Sequence, residues 1–336
     1  MTPSRSRSRA LPLKHRLLGA PFLIVAMLAI FGLAVAACGN DDDDPVDDTP
    51  VDDVVDDTDD AVDDTDDAVV DDETERTLEL AYVPGWDEGV AATFLWIHIL
   101  EGEGYDVNLT ALEVPALFAG IAGSDLDIYL DAWLPGTHAE FMEEVGEDVV
   151  ELQEWHAPAG LYLTVPEYVD AESLEDLADM GDVFNEQIIG IEPGAGMMGI
   201  ARDEVMPTYG IEDWELVESS TPAMLSELGS AIDNEEPIVV TLWSPGWWYG
   251  RWDLRNLEDP ENAWGDPDGL WVVTNTEFEE NYPQLTGWLE NFWLEEDELS
   301  ALLDLIADVD ENEIPERVEE WLEMDDHQET VDSWIE

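Results

Sequence analysis

Four of the chain's fifteen tryptophans lie within ten residues, Trp243 to Trp252, in the stretch VTLWSPGWWYGRWDLR. An indole presents an electron-rich face that attracts cations. Quaternary ammonium groups suit it best, because they have no N–H to donate and no ordinary hydrogen bond holds them. Trp86 and Trp133 stand in comparable surroundings, each shortly after a run that reads as a strand. Any single indole has an ordinary reading as packing, since it buries a large apolar area. A functional reading needs several of them aimed at one place, together with a partner for whatever else the ligand carries.

Strand ends would do the aiming. Thr77–Val83 (TLELAYV), Tyr105–Leu112 and Leu126–Trp133 read as strands. A helix opening at Asp87, with apolar positions at Val90, Phe94, Ile97 and Leu100, follows the first, and a helix near Pro115–Ala122 follows the second. This is βαβαβ, the pattern of a parallel sheet, and Gly160–Val165 closes it. A second unit follows: a helix over 173–180, a strand at Ile188–Glu192, a helix from Gly196, the strand WELVE, a helix over 221–232 and the strand PIVVTLW. Leu270–Asn275 then leads into a helical tail. Two α/β units joined by short extended segments predict two lobes with a cleft between them, and ligands of such sheets sit beyond the carboxyl ends of the strands.

Three of those ends carry a tryptophan: Pro84-Gly85-Trp86-Asp87, Ala132-Trp133-Leu134-Pro135-Gly136-Thr137-His138, and Trp243 after PIVVTL. A fourth carries Pro193-Gly194-Ala195-Gly196-Met197-Met198, a glycine turn opening a helix, whose free N–H groups favour an anion. Three indoles for a methylated ammonium and a helix start for a carboxylate fit a betaine zwitterion. By residue type alone, His138 reads more readily as a cap or surface group than as a ligand contact. His98 falls on an apolar helix face and reads as structural. Asp87 and Glu192 read as capping or supporting groups.

The segments AYVPGWDEG, DAWLPGTH, GIEPGAGMM and TLWSPGWW resemble those of glycine betaine-binding proteins of osmolyte ABC importers, and the likeness extends over nearly all of residues 78–336. The resemblance implies a two-lobed periplasmic-binding-protein fold of type II, with the ligand between the lobes. It implies an aromatic cage of Trp86, Trp133 and Trp243. A carboxylate would be held by the backbone N–H groups of Gly196 and Met197 and the side chain of His138. Two departures stand out. One more residue precedes Trp86 than in the family's AYVxWD. Pro245-Gly246-Trp247 replaces Pro-His-Trp, which removes a polar contact and leaves Trp247 and Trp248 as packing or cleft rim. The expected lobes are residues 76–164 with 272–336, and 165–271, hinged at Thr164–Pro166 and Val272–Asn275.

The ends of the chain carry their own signals. Residues 1–37 combine Arg5, Arg7, Arg9, Lys14 and Arg16 with an apolar run and no acid, ending Val35-Ala36-Ala37-Cys38. A basic region, an apolar region and small residues before a cut form a secretory signal. The cysteine placed directly after them resembles a bacterial lipobox, so Cys38 is the expected lipidation site; an uncleaved anchor is the alternative. As the only cysteine, Cys38 leaves no intrachain disulfide. From Cys38 onward five arginines face 84 acids, a formal charge of −79 with no lysine. Such a charge repels nucleic acid and anionic lipid, and the composition is that of proteins from halophiles. Residues 38–75, with VDDTDDA in tandem, are too acidic to collapse and read as an extended spacer.

No phosphate-binding glycine loop, G-x-S-x-G elbow, Cys–His pair or H-E-x-x-H is present, so neither an enzyme nor a cofactor is expected. Paired carboxylates carry no information in a chain this acidic. The sequence reading is therefore betaine binding and delivery to an ABC permease and its ATPase. Choline, carnitine, or ligand sensing without a transporter are the alternatives; choline would leave His138 and the Gly196 amide unused.

Overall fold

A computed structural model describes residues 77–336 apart from Asp308, Asp325, Asp326 and Glu336. The expected signal sequence, the expected lipidation site Cys38 and the expected acidic spacer lie outside the described residues. Nine strands form the framework: β1 (Thr77–Tyr82), β2 (Asp106–Ala111), β3 (Ile128–Leu134), β4 (Val149–Pro166), β5 (Gln187–Ile189), β6 (Glu215–Val217), β7 (Val240–Ser244), β8 (Leu254–Asn256) and β9 (Asp268–Asn275). Their order is β2-β1-β3-β9-β4-β7-β5-β6, with β8 also on β4.

The expected parallel units are present, β1 with β2 and β3 in one half and β5 with β6 and β7 in the other. Two long antiparallel strands tie them together. β4 is 18 residues long and changes partner midway, running against β9 from Val149 to Ala159 and against β7 from Gly160 to Thr164. Only its second half was legible as a strand. The first half, VVELQEWHAPA, interrupts its apolar residues with Glu151, Glu154 and Pro158, and its pairing with β9 slips register three times, so no period-2 pattern survives. The helix expected over 173–180 is shorter, Leu174–Leu177, with a separate turn at Gly181–Phe184.

β3 is buried at all seven positions, as a strand covered on both faces must be. The helix Asp87–Gly102 lies against it and also meets the C-terminal helices, where Trp96 packs edge-on to Phe292 and stacks with Trp334. His98 is exposed on that helix, not part of its apolar face, because the buried stripe runs through Leu95, Trp96, Ile99 and Leu100. The second half has its own core around Leu163, Leu174, Phe184, Ile188, Val205 and Val239. Among the described residues no helix is long and apolar enough to cross a membrane.

Candidate functional site

The strand ends converge. Trp86, Trp133, His138, Met197 and Trp243 line one cavity, with Glu88, Thr137, Leu161 and Ile191. Five of the six expected ligand residues are thus brought together across the two halves. Gly196 does not line it. It lies behind Met197, where a Cβ would stand 2.2 Å from the Thr137 carbonyl oxygen, so only glycine lets the helix Gly196–Ile200 approach that turn.

Trp86 and Trp243 meet at 59° with centroids 6.4 Å apart, and Trp86 lies parallel to the His138 ring at 5.9 Å. Trp248 backs Trp243 edge-on at 4.8 Å and donates its indole N–H to the Trp243 carbonyl. Trp248 is therefore packing that fixes the Trp243 indole. Trp247 is also buried and donates its N–H to the Asp87 carboxylate. That bond corrects Asp87 as a helix cap: no side chain caps this helix, and Asp87 reaches across to the opposite half. Burial raises its pKa to about 6, against the opposing pull of the Trp247 N–H. Glu192 does serve a helix start, accepting the backbone N–H and hydroxyl of Thr221 at 2.7 and 2.9 Å.

The turn after β3 sets the histidine. The Trp133 backbone N–H donates to His138 Nδ1 at 2.9 Å, and the His138 N–H returns to the Trp133 carbonyl at 3.0 Å. With Nδ1 an acceptor, the neutral ring carries its proton on Nε2. That atom is buried and has no partner. Burial lowers the His138 pKa to about 3, so the ring is neutral and Nε2 is a donor rather than part of a cation. Asp268, at the start of β9, holds the same turn by accepting Gly136 N–H, Thr137 N–H and Thr137 O–H at 2.6, 2.9 and 2.6 Å. Asp268→Ala would strand three donors. It is expected to destabilise the protein by about 2–4 kcal/mol, read as a lowered Tm in molar KCl.

Glu88 and Asp131 are the site residues that the sequence reading missed. Glu88 accepts the Trp243 indole N–H and Asp131 the Trp133 indole N–H, each at 3.0 Å. Both carboxyls are buried. Burial drives the Glu88 pKa up to about 8 and lifts Asp131 well above the carboxylate range, with the charge of Glu88 adding to the latter. An acid within the wholly buried run IYLDAWL was the available signal. Among the described residues no cluster of His, Cys, Asp and Glu is arranged to hold a metal ion.

Comparison with known proteins places this arrangement. Residues 76–324 match the family described as the substrate binding domain of ABC-type glycine betaine transport system. The glycine betaine/carnitine transport binding protein GbuC of Listeria monocytogenes is 34% identical over 154 residues, 43% of this chain and 51% of that protein, so the match spans about half its length. An uncharacterised protein of Chromohalobacter salexigens is 34% identical over 114 residues, 33% of this chain and 74% of that one. The closed, glycine betaine-bound crystal structure of lactococcal OpuAC superposes with a TM-score of 0.70 at 30% identity, covering 77% of this chain and 99% of that one. The ProX binding protein of Borrelia burgdorferi gives a TM-score of 0.73 at 25% identity, covering 77% and 97%. The two-lobed type II periplasmic-binding-protein fold is shared with both. By the extent of the family match, this chain belongs to the substrate-binding domains of ABC-type glycine betaine transport systems.

Proposed function

We propose that this protein binds glycine betaine or a close relative outside the cytoplasm and delivers it to an ABC permease and its ATPase. The observation that carries the reading is the pairing, within one cavity, of three indoles with a buried, unpartnered His138 Nε2–H. The indoles of Trp86, Trp133 and Trp243 would enclose the trimethylammonium, and His138 would donate to the carboxylate. Met197 N–H, with Gly196 N–H behind it, would add first-turn donors of a helix, whose backbone N–H groups have no partner within the helix itself. No step of bond breaking is required, and the protein is read as a carrier rather than an enzyme. Choline would fill the cage and leave His138 unused, which favours a zwitterion.

Lobe closure would be a hinge motion. We place the hinge where β4 changes partner, at Ala159–Gly160 and facing Asp268, earlier along β4 than the Thr164–Pro166 segment expected from sequence. The lipid anchor at Cys38, the acidic spacer and a halophilic source complete the reading. A zwitterion carries no net charge, so the formal −79 of the chain from Cys38 onward neither steers nor repels it at long range, and a desolvated π cage is little screened by molar salt. Calorimetric titration in molar KCl with glycine betaine, proline betaine, carnitine, choline and proline tests the proposal. Saturable binding with a betaine tightest supports it, choline binding tightest keeps the cage and removes the carboxylate clamp, and no binding by folded protein sinks it.

A further inference from the structure

Two of the three cage indoles are hydrogen-bonded to buried acids, and those acids have no counter-charge in the cavity. Glu88 Oε2 takes the Trp243 N–H and Asp131 Oδ1 the Trp133 N–H. The second oxygen of each, Glu88 Oε1 and Asp131 Oδ2, is buried without any partner. Glu88 itself lines the cavity, and no lysine or arginine is among the lining residues. Asp131 is pressed against the first turn of the helix that carries Glu88: a Cβ on Gly89 would lie 2.4 Å from its Oδ2. The ionisable groups facing the pair are Asp87, Tyr129, whose buried hydroxyl is also unpartnered, and the neutral His138, and none of these is a cation.

A buried carboxylate lacking both a cation and a full set of donors is costly, and the cost is met either by protonation or by a positive charge arriving nearby. A quaternary ammonium brings such a charge without needing a hydrogen bond. An indole N–H donating to a carboxylate also has its ring polarised, with density moved toward the faces that the ammonium meets. Both effects are present only when the acid is ionised.

We propose that Glu88 and Asp131 act as one specificity-determining acid pair, ionised when a cationic head group fills the cage and holding a proton when the cage is empty or filled by an uncharged head. The inference rests on the betaine reading and deepens it: the pair is what would select a permanent cation over a neutral group of the same shape. Ligand binding then releases a proton from the pair to the buffer, and by linkage affinity depends on pH. The sign follows from the empty site. Below about pH 8, where Glu88 still holds its proton, the incoming cation must displace it, so affinity rises with pH up to that point and levels above it. A single displaced proton gives at most about tenfold in Kd per pH unit.

The test compares glycine betaine with 3,3-dimethylbutanoate, which replaces N⁺ by carbon and keeps the carboxylate, by calorimetry between pH 6 and 9 in buffers of different ionisation enthalpy. Wild-type protein is expected to release protons on binding glycine betaine, with affinity rising toward pH 8. It is expected to release none on binding the carbon isostere. Glu88→Gln keeps an acceptor for the Trp243 N–H; it is expected to flatten the betaine pH profile and cut the betaine-to-isostere preference about tenfold. Asp131→Asn should do the same, and the wild-type proton count needs no variant at all. A pH-independent betaine affinity without proton release would overturn the pair's role while leaving betaine binding intact. So would a Glu88→Gln protein that loses both ligands equally and keeps the wild-type slope. Failure of wild-type protein to bind glycine betaine at any pH would overturn the functional reading itself.

Discussion

Trp243→Ala is expected to weaken glycine betaine binding by about 100- to 4,000-fold. The indole lines the cavity beside Trp86, where the proposed reading seats the ammonium, and a desolvated cation–π contact is worth about 2 kcal/mol. Its N–H also donates to the buried Glu88 carboxyl at 3.0 Å. Removing that donor exposes a desolvation penalty of about 1–3 kcal/mol. Together these give about 3–5 kcal/mol, at 1.4 kcal/mol per tenfold in Kd. Truncating a buried tryptophan also leaves a cavity costing about 3–5 kcal/mol of stability, so Trp243→Phe is the informative partner. Phenylalanine keeps a π face and deletes only the N–H, and an intermediate loss is expected in the same titration. Equal affinity of wild type and Trp243→Ala for glycine betaine would remove Trp243 from the cage.

His138→Asn should separate the two ends of the ligand. Asparagine places an oxygen close to where the imidazole has Nδ1, so it can keep accepting the Trp133 backbone N–H that orders the turn. It lacks the donor that Nε2 provides. A hydrogen bond to a charged group is worth about 1.5–3 kcal/mol, so glycine betaine affinity is expected to fall about 10–100-fold. Choline has no carboxylate, and its affinity should be unchanged within about twofold. If both ligands weaken together, His138 supports the cage through its stacking on Trp86 rather than by gripping an anion.

Much of this site was legible in the sequence because its parts follow apolar runs. Trp86, Trp133 and Trp243 each come at or just after a buried strand, and the residues that carry them, AYVPGW, DAWLPGTH and TLWSPGWW, are local motifs. Glu88 and Asp131 were hidden for the opposite reason. With 84 acids in the chain, one more carboxylate at a helix start carries no signal for Glu88; Asp131 showed only as an acid inside the apolar run IYLDAWL, and burial, a property of the folded protein, is what sets both apart. The first half of β4 was lost to its glutamates and Pro158, and its place in the sheet comes from pairing with β9, more than a hundred residues later. His98 went wrong on a phase error of one position beside Ile99.

A crystal structure of the protein with glycine betaine would show which end of the ligand meets the indoles and which meets His138. The trimethylammonium is expected between the indoles of Trp86, Trp133 and Trp243, with a carboxylate oxygen within hydrogen-bond distance of His138 Nε2. A ligand seated elsewhere, or turned so that its carboxylate faces Glu88 and its ammonium faces His138, would contradict that placement.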